Sequence, residues 1–407
     1  MVTHRKKSST DRGKKSAVEI QDANLVAAAL LYDMASLQGP ERSRFGYKRA
    51  AKAIARLNVP VADLVRAGTL REVPFVGPAS ARIITEFVTT GASPTVEAAI
   101  AAAGKRAAIV AQRALRDGFL SHAMLAEALE SPTAEGVVST RDYRGDFQMH
   151  STWSDGTETI AAMAQAALEM GHTCLGITDH SYGLPIARGI SMAQAARQWL
   201  EVDELNATLA GRFRVFKGIE ANILVDGNLD VQPEERALFE FVVASPHSQL
   251  RRSEDQTTRM VNAVTTDGVA ILGHPRGRMF NSRPGVSADW DMVFEQAASH
   301  GVAIELDGNW HRQDIDYLLA RRALDAGCIF ALDSDAHSIG ELRFSDYAIA
   351  HARLAGIPAE RVINCWPDDR LEEWMRERHG RRGSSAKRGS ARRARPSAPT
   401  PRRPPRG

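Results

Sequence analysis

Five short strings along the chain place a histidine beside other residues able to ligate a metal: Gln148-Met149-His150 with Asp155, Asp179-His180, Ala244-Ser245-Pro246-His247, Gly273-His274-Pro275 and Asp335-Ala336-His337. Each stands at the C-terminal edge of an apolar, strand-like run, and Glu220 ends a sixth run of the same kind. Histidines scattered over a solvated surface would not keep returning to one place in a repeat. Neutral imidazole and carboxylate suit Zn²⁺, Mn²⁺ or Fe²⁺, and the lack of cysteine in these strings argues against a closed structural zinc site. His150, Asp155, His180, Glu220, His247, His274, Asp335 and His337 make eight candidate ligands. One ion takes three or four, so two or three divalent ions are expected, with Glu220 as a bridge. Ions about 3.5–4 Å apart clamp a phosphoryl group and turn a bound water into hydroxide near neutral pH, the arrangement for phosphoester hydrolysis by a metal-bound hydroxide. The catalytic candidates are therefore His150, Asp155, Glu220 and Asp335. Arg276 joins them because it follows His274-Pro275, where it and Arg278 are placed to hold non-reacting phosphate oxygens. Adjacent residues on a strand point opposite ways, so His180 is expected to ligate and Asp179 to orient the site. His172, His300, His311 and His351 stand in no comparable string and receive no metal role.

Something must bring these residues together. Strands are expected at Gly145–Met149, Thr173–Thr178, Phe213–Ile219, Phe239–Ala244, Val269–Leu272, Val302–Leu306 and Cys328–Leu332, most of them followed by helical patterns such as Thr157–Met170 and Ser191–Leu209. Such alternation gives parallel strands joined by helices, and about seven units fit a closed barrel better than an open sheet. In a barrel of this kind the residues just after each strand converge on one face. Every string above lies there.

Residues 17–101 read as helices. One of them, Arg42 to Leu57, sets Arg44, Lys48, Lys52 and Arg56 four residues apart as a basic stripe, while Phe45, Ala50, Ala51, Ile54 and Leu57 supply its packing surface. A helix then ends near Gly68, a turn carries Pro74 and Gly77, and a new helix opens at Pro78. This resembles a helix-hairpin-helix, with Gly77, Ser80 and Arg82 at the end that would meet a nucleic-acid phosphate. Ala79 and Ser80 stand where a second glycine often follows. Together with the stripe, residues 17–101 look like the N-terminal DNA-binding domain of family X DNA polymerases. Residues 102–143 read as an Ala-rich helical linker. The polymerase palm of that family would need an Asp-x-Asp pair in this interval, and none is present. The pairs Asp314-Ile315-Asp316 and Asp333-Ser334-Asp335 fall inside the later repeat, so no polymerase activity is expected.

At 407 residues, 43% of them hydrophobic and 25% charged, the chain has ordinary globular composition for two or three domains. No apolar run is long enough to span a membrane and the N-terminus lacks a signal-peptide pattern, so a cytoplasmic location is expected. Cys174, Cys328 and Cys365 are widely spaced and form no C-x-x-C pair, as expected of reduced core thiols. The net charge of +3 combines +5 on residues 1–15 and +10 on residues 380–407, which leaves −12 between them. The terminal stretches, 1–16 and the Arg/Pro-rich 379–407, are expected to be disordered basic arms, serving either to bind phosphate backbones or to aid solubility.

The strings Asp146-Phe147-Gln148-Met149-His150-Ser151-Thr152-Trp153-Ser154-Asp155-Gly156, Ile177-Thr178-Asp179-His180-Ser181, Gly218-Ile219-Glu220-Ala221-Asn222, Ala244-Ser245-Pro246-His247-Ser248, Gly273-His274-Pro275 and Ser334-Asp335-Ala336-His337-Ser338 resemble those of PHP (polymerase and histidinol phosphatase) domains. The version at the C-terminus of bacterial family X polymerases is especially similar, over 144–378. The resemblance implies a distorted (β/α)7 barrel with three divalent metals held by the eight ligands above, and 3′–5′ exonuclease or related phosphoesterase activity. Gln148 departs from the pattern, since many PHP proteins have a histidine there. Its amide oxygen remains a ninth, weaker possible ligand, and a changed metal preference is an alternative consequence. The expected function is a metal-dependent phosphoesterase acting on DNA ends in repair, with DNA as a partner held through its backbone. The alternatives are a small-molecule phosphatase of the histidinol-phosphatase type and a DNA-binding scaffold with a weakened barrel.

Overall fold

A computed structural model describes residues 21–39, 41–209 and 211–380; the expected tail 1–16 and residues 381–407 of the second tail lie outside the described residues. Contacts divide the chain into two units, one running to Ile109 and taking in Leu120–Met124, the other holding Val110–Phe119 and the chain from Leu125 onward. The first contains α1 (Ala23–Leu37), α2 (Glu41–Ala55), α3 (Val61–Ala67), α4 (Pro78–Thr90) and α5 (Pro94–Ala103). Asp22 caps α1 by accepting from Leu25 N, and it also accepts from Ser121 N at 2.6 Å, which ties 120–124 to this unit. Buried Asn24 binds the start of α3 by accepting from Val61 N at 2.7 Å and donating to Val59 O at 3.0 Å. Gly68 ends α3 in a left-handed conformation and Pro78 opens α4, as the sequence leads one to expect.

Helices α6 (Arg106–Ala114) and α7 (His122–Glu130) follow in the interval expected to be a linker. Much of that interval is packed rather than free. Arg353 donates to the carbonyls of Ala128, Ser131 and Val138, and the Tyr143 hydroxyl donates to Leu332 O at 3.0 Å. Phe119 lies edge-on to Phe280 and under the Arg278 guanidinium, so 110–119 also belongs with the second unit.

The second unit is a seven-stranded parallel sheet in chain order: β1 (Gly145–Asp146), β2 (Cys174–Ile177), β3 (Arg214–Asn222), β4 (Phe241–Ser245), β5 (Val269–Leu272), β6 (Ala303–Asp307) and β7 (Ile329–Asp333). The connections carry α8 (Ile160–Glu169), α9 (Met192–Thr208), α10 (Pro233–Arg236), α11 (Thr257–Val264), α12 (Trp290–His300) and α13 (Tyr317–Asp325), with α14 (Ser345–Ala355) and α15 (Asp368–Gly380) after β7. Beyond the ends of β1 and β7, Met149 bridges Ala336 and His150 N donates to Ala336 O at 2.8 Å. The sheet thus curls into a nearly closed, distorted (β/α)7 barrel. The run 145–149 adds only two residues to the ladder, because the next amides go to side chains. Phe147 N donates to Asp333 Oδ1 at 2.8 Å, Gln148 N to Asp146 Oδ1 at 3.1 Å and Met149 N to Thr178 Oγ1 at 3.1 Å. Asn364 spans the same seam, donating to Gly145 O at 2.8 Å and Leu332 O at 2.9 Å.

Inside the barrel Phe147, Phe216 and Phe241 stack at tilted and edge-on angles, joined by Trp366, Leu371, Trp374 and Met375 from α15 and the segment before it. Trp374 Nε1 donates to Gly301 O, just before β6, so α15 covers the N-terminal ends of the strands. Two glycines make room for the phenylalanine floor: a Cβ on Gly176 or Gly218 would lie 2.5 or 2.4 Å from Phe241 Cζ. Gly218→Ala is expected to destabilise the chain by about 1–3 kcal/mol through overpacking, read as a fall in the denaturation midpoint. Phe241→Leu in the same chain should recover part of the loss, and absence of recovery would place the strain elsewhere.

Candidate metal centre

The eight ligand candidates meet at one rim because the barrel delivers each from the C-terminal end of its strand. His150 follows β1, His180 follows β2, Glu220 lies near the end of β3, His247 follows β4, His274 follows β5, and Asp335 and His337 follow β7. Asp155 reaches the cluster on the loop behind His150. Glu220 is the hub. Its Oε1 lies 2.9 Å from His274 Nε2 and 3.4 Å from His247 Nε2, and its Oε2 lies 2.8 Å from His180 Nδ1 and 3.6 Å from His150 Nε2. His150 stacks between the rings of His180 and His337, at 4.3 and 4.2 Å. Asp155 Oδ1 is 3.5 Å from His180 Nε2 and 3.4 Å from His337 Nε2, and Asp335 Oδ1 is 3.3 Å from His150 Nε2.

Burial raises the Glu220 carboxyl, but the charges of His180 and His247 outweigh it and hold it well below the usual range. Asp155 behaves alike: the hydrogen bond to His337 and the neighbouring imidazoles bring it down to about 2. Burial and Arg312 push His274 down to about 4, whereas the Asp155 hydrogen bond and Asp335 overcome burial at His337 and lift it to about 10. His337 Nδ1 sits 2.9 Å from Asp335 O. A carbonyl can only accept, so Nδ1 carries a proton, and with the ring held in its protonated form Nε2–H faces the ionised Asp155 carboxylate.

Metal fit rests on the atoms this network does not satisfy. Gln148 Oε1, both ring nitrogens of His247, Glu220 Oε2 and Asp335 Oδ2 are buried without a hydrogen bond of proper geometry. Each such group costs about 1–3 kcal/mol if nothing else pairs with it. His150, Asp155, His180 and His337 each offer one atom within 4.8 Å of the others, and His180, Glu220 and His247 do the same. These donors fit more than one divalent cation, of the Zn²⁺, Mn²⁺ or Fe²⁺ class by their nitrogen and oxygen chemistry. Gln148 donates to Glu220 Oε1 through Nε2 at 3.1 Å, and its Oε1 is the orphan.

Asp179 points away from the metal cluster. It accepts from Ser151 N at 2.8 Å, Ser154 N at 3.1 Å and Gln198 Nε2 at 2.6 Å, pinning the loop between His150 and Asp155. The arginine expectations change. Arg276 pairs with Asp316 Oδ2 at 3.5 Å and donates to Pro284 O, and its side chain lines a separate groove. Arg278 is buried against Asp316 and the carbonyls of Arg312, Gln313 and Asp117, so it cannot hold substrate phosphate. The guanidinium at the cluster is Arg312, with Nη2 3.2 Å from Asp335 Oδ2. Sequence reasoning missed it because the loop after β6 carries no histidine string. Reasoning also missed the buried carboxyls Asp146, Glu305, Asp307 and Asp333. Glu305 accepts from His274 N, and Asp146 Oδ2 accepts from Ser334 N at 3.1 Å. Two acids inside β6, a strand buried throughout, were the available signal. The Asp-x-Asp string outside this layer, Asp314-Ile315-Asp316, is engaged elsewhere: Asp314 accepts from Gly277 N at 2.6 Å and Asp316 caps α13.

In the helical unit, Arg44, Lys48, Lys52 and Arg56 are all exposed along or just past α2. Phe45, expected to pack, is 48% exposed, and Phe75 in the turn before α4 is 59% exposed under the Arg49 guanidinium, 5.1 Å away. Gly77 caps α4 and Arg82 is exposed, but Ser80 is buried in the helix interface and offers no surface hydroxyl.

Metal binding should stabilise the fold by mass action. Mn²⁺ at about 100 times its dissociation constant is expected to add ~2.7 kcal/mol, seen as a raised melting temperature. Glu220→Gln should lower the metal content per chain and shrink that rise, and an undiminished rise would remove Glu220 from the ligand set.

No family model matches the chain. A DNA polymerase/3′–5′ exonuclease PolX of Bacillus subtilis is 36% identical over 229 residues, covering 56% of this chain and 40% of that protein. The chain therefore spans well under half of that relative's length. The probable phosphatase YcdX of Escherichia coli O81 is 25% identical over 55% of this chain and 91% of its own length. A probable phosphatase of Shewanella loihica is 29% identical over 53% and 85%. A solved histidinol phosphate phosphatase from Lactococcus lactis, complexed with zinc, L-histidinol and phosphate, aligns over 52% of this chain and 94% of its own, with 16% identity and a TM-score of 0.38. The homology is to the PHP domain of the polymerase/exonuclease and to the probable phosphatases.

Proposed function

We propose that the chain is a divalent-metal-dependent phosphoesterase that removes nucleotides from the 3′ ends of DNA in repair, with the cationic surface of the helical unit holding the strand by its phosphates. The observation that carries the reading is a buried carboxylate, Glu220, set among four imidazoles at the barrel mouth. His150, Asp155, His180 and His337 would hold one ion, and His180, Glu220 and His247 another, with His274 and Asp335 adjoining. Bound divalent cations supply positive charge for phosphate oxygens and acidify a water. The chain's residues keep that chemistry in place. Burial of His150, Glu220 and Asp335 excludes bulk water and strengthens each charge interaction, and Arg312 balances Asp335. Cysteine takes no part, since burial lifts Cys174, Cys328 and Cys365 to about 12 and keeps them as thiols.

Coverage of the probable phosphatases over most of their length favours a second reading, hydrolysis of a small phosphate monoester. The two separate in one assay. With Mn²⁺, the chain is expected to release mononucleotides from the 3′ end of a 5′-labelled single strand, to stop with chelator, and to leave histidinol phosphate largely intact. The reverse preference would overturn the DNA reading. His150→Ala should cost more than the roughly 100-fold typical of outer-sphere changes at metal sites. Retention of fewer than two ions per chain, with His150→Ala changing no activity, would make the barrel a scaffold.

The helical unit has its own test. Lys48→Glu with Lys52→Glu is expected to weaken DNA binding at all sequences alike and flatten its salt dependence by about 0.7–0.9 log units for each phosphate no longer neutralised. Fluorescence anisotropy of labelled oligonucleotides over a salt series measures both, and an unaltered slope would assign α2 to plain solvation.

A further inference from the structure

A groove outside the metal cluster has a volume of about 580 Å³, within the range of small-molecule sites. Three loop-and-helix segments line it. Arg252 comes from the connection after β4, Arg276 from the loop after β5, and Arg322 from α13. Val286, Trp290 and Leu319 form an almost buried apolar floor. Arginine at the wall over an apolar floor suits a ligand with one anionic end and one flat apolar body, which is the chemistry of a nucleotide.

The cations are not spent internally. Among the described residues the Arg252 side chain has no ion-pair or hydrogen-bond partner, its backbone N–H alone donating to Gln249 O. Arg322 pairs with Asp291 at 2.9 Å, with both side chains half or more exposed, a contact worth little in water. Asp316, the partner of Arg276, is already shared with Arg278 and with the amides of Leu318 and Leu319 at the start of α13. Arg276 is also set in advance. Its Nη2 donates to Pro284 O at 3.2 Å, and its carbonyl accepts from Val286 N at 2.7 Å. Gly285 lets the loop fold this tightly, since at φ +83° a Cβ there would lie 2.4 Å from Arg276 O.

The groove adjoins the cluster through both of its walls. Arg276 follows the ligand candidate His274 by two residues, a reach of at most ~7 Å of chain. Asp316 closes the segment that begins at Arg312, whose guanidinium touches Asp335. We propose that this groove is a nucleotide subsite, which rests on the DNA phosphoesterase reading: it receives the nucleotide next to the one being released, its phosphate between Arg252, Arg276 and Arg322 and its base on the Val286–Trp290 floor. A free nucleoside monophosphate shares this chemistry and would occupy the same place as a product.

The test uses the full chain with Mn²⁺ and two substrates, a thymidine 5′-monophosphate p-nitrophenyl ester, which has no neighbouring nucleotide, and a thymidylate trinucleotide. Arg252→Ala with Arg322→Ala is expected to raise KM for the trinucleotide roughly tenfold, as befits removal of charge-assisted hydrogen bonds. The salt dependence of that KM should flatten by about 0.7 for each phosphate no longer held by an arginine. Turnover of the ester should be unchanged, and an unchanged melting temperature should accompany it. Thymidine 5′-monophosphate should inhibit the parent chain more strongly than the variant, whereas equal inhibition of both would remove the free nucleotide as an occupant. Trinucleotide cleavage with an unaltered KM and salt slope in the variant overturns the groove alone. A parent chain that leaves the trinucleotide intact overturns both the subsite and the DNA reading.

Discussion

The structure depends on a buried carboxylate surrounded by basic nitrogens. Glu220 has no access to solvent, and four imidazoles from four different connections close on its two oxygens. A lone buried carboxylate is costly, and an imidazole set that charged fully would repel itself. The arrangement is stable only if opposite charges are matched nearly one for one. That requirement explains why the ligands are held by backbone and second-rank contacts rather than by packing alone: Asp179 grips the loop between His150 and Asp155, Asp335 O fixes the His337 tautomer, and Arg312 sits against Asp335.

A second polar layer lies directly below. Asp146, Glu305, Asp307 and Asp333 are buried, and burial raises all four, Asp333 to about 6; repulsion from Asp333 adds to the rise at Asp146 and Glu305, and from Asp335 at Asp307. Their oxygens accept backbone amides from Phe147, Gln148, His274, Asn309 and Ser334. These carboxyls therefore define where the metal-facing segments start. Beneath them the phenylalanine floor, with Gly176 and Gly218 opposite Phe241, sets the barrel's girth. The rim geometry is thus inherited from three stacked layers: apolar, acidic and ligating.

The ligand set was legible because parallel βα repeats convert a position in sequence, just past a strand, into a position in space. Six of the eight candidates follow that rule, while Glu220 lies inside β3 near its end and Asp155 on the loop after His150, and the seven strands fell where apolar runs were bounded by turns. What escaped was whatever the repeat does not encode. Arg312 lies five residues past β6 and reaches the cluster only because its loop turns back, with Asp314 N donating to Asp307 O. The short β1 could not be foreseen from an apolar run whose amides choose carboxylates over carbonyls. Phe45 is exposed where packing was expected, because a stripe of four cations says which face of α2 is wet but not how wide the dry face is, and Ser80 is buried with Ile83 and Ile84 in α4. Arg276 and Arg278 look equivalent in sequence, yet one lines a groove and the other is buried among carbonyls.

The helix that ends the described chain has a consequence for traffic. With Trp366, Leu371, Trp374 and Met375 stoppered against the phenylalanine floor, the described residues close the N-terminal end of the barrel and leave the ligand rim as the way in. A polymer of the kind proposed as substrate could not thread through the barrel. Its end would have to enter head-first, and the shortened remainder would back out or slide along the rim by the same opening that the released fragment uses. Under that proposal departure and re-entry would share one passage, and the pace of successive cuts would be set by queueing at the mouth as much as by bond breaking.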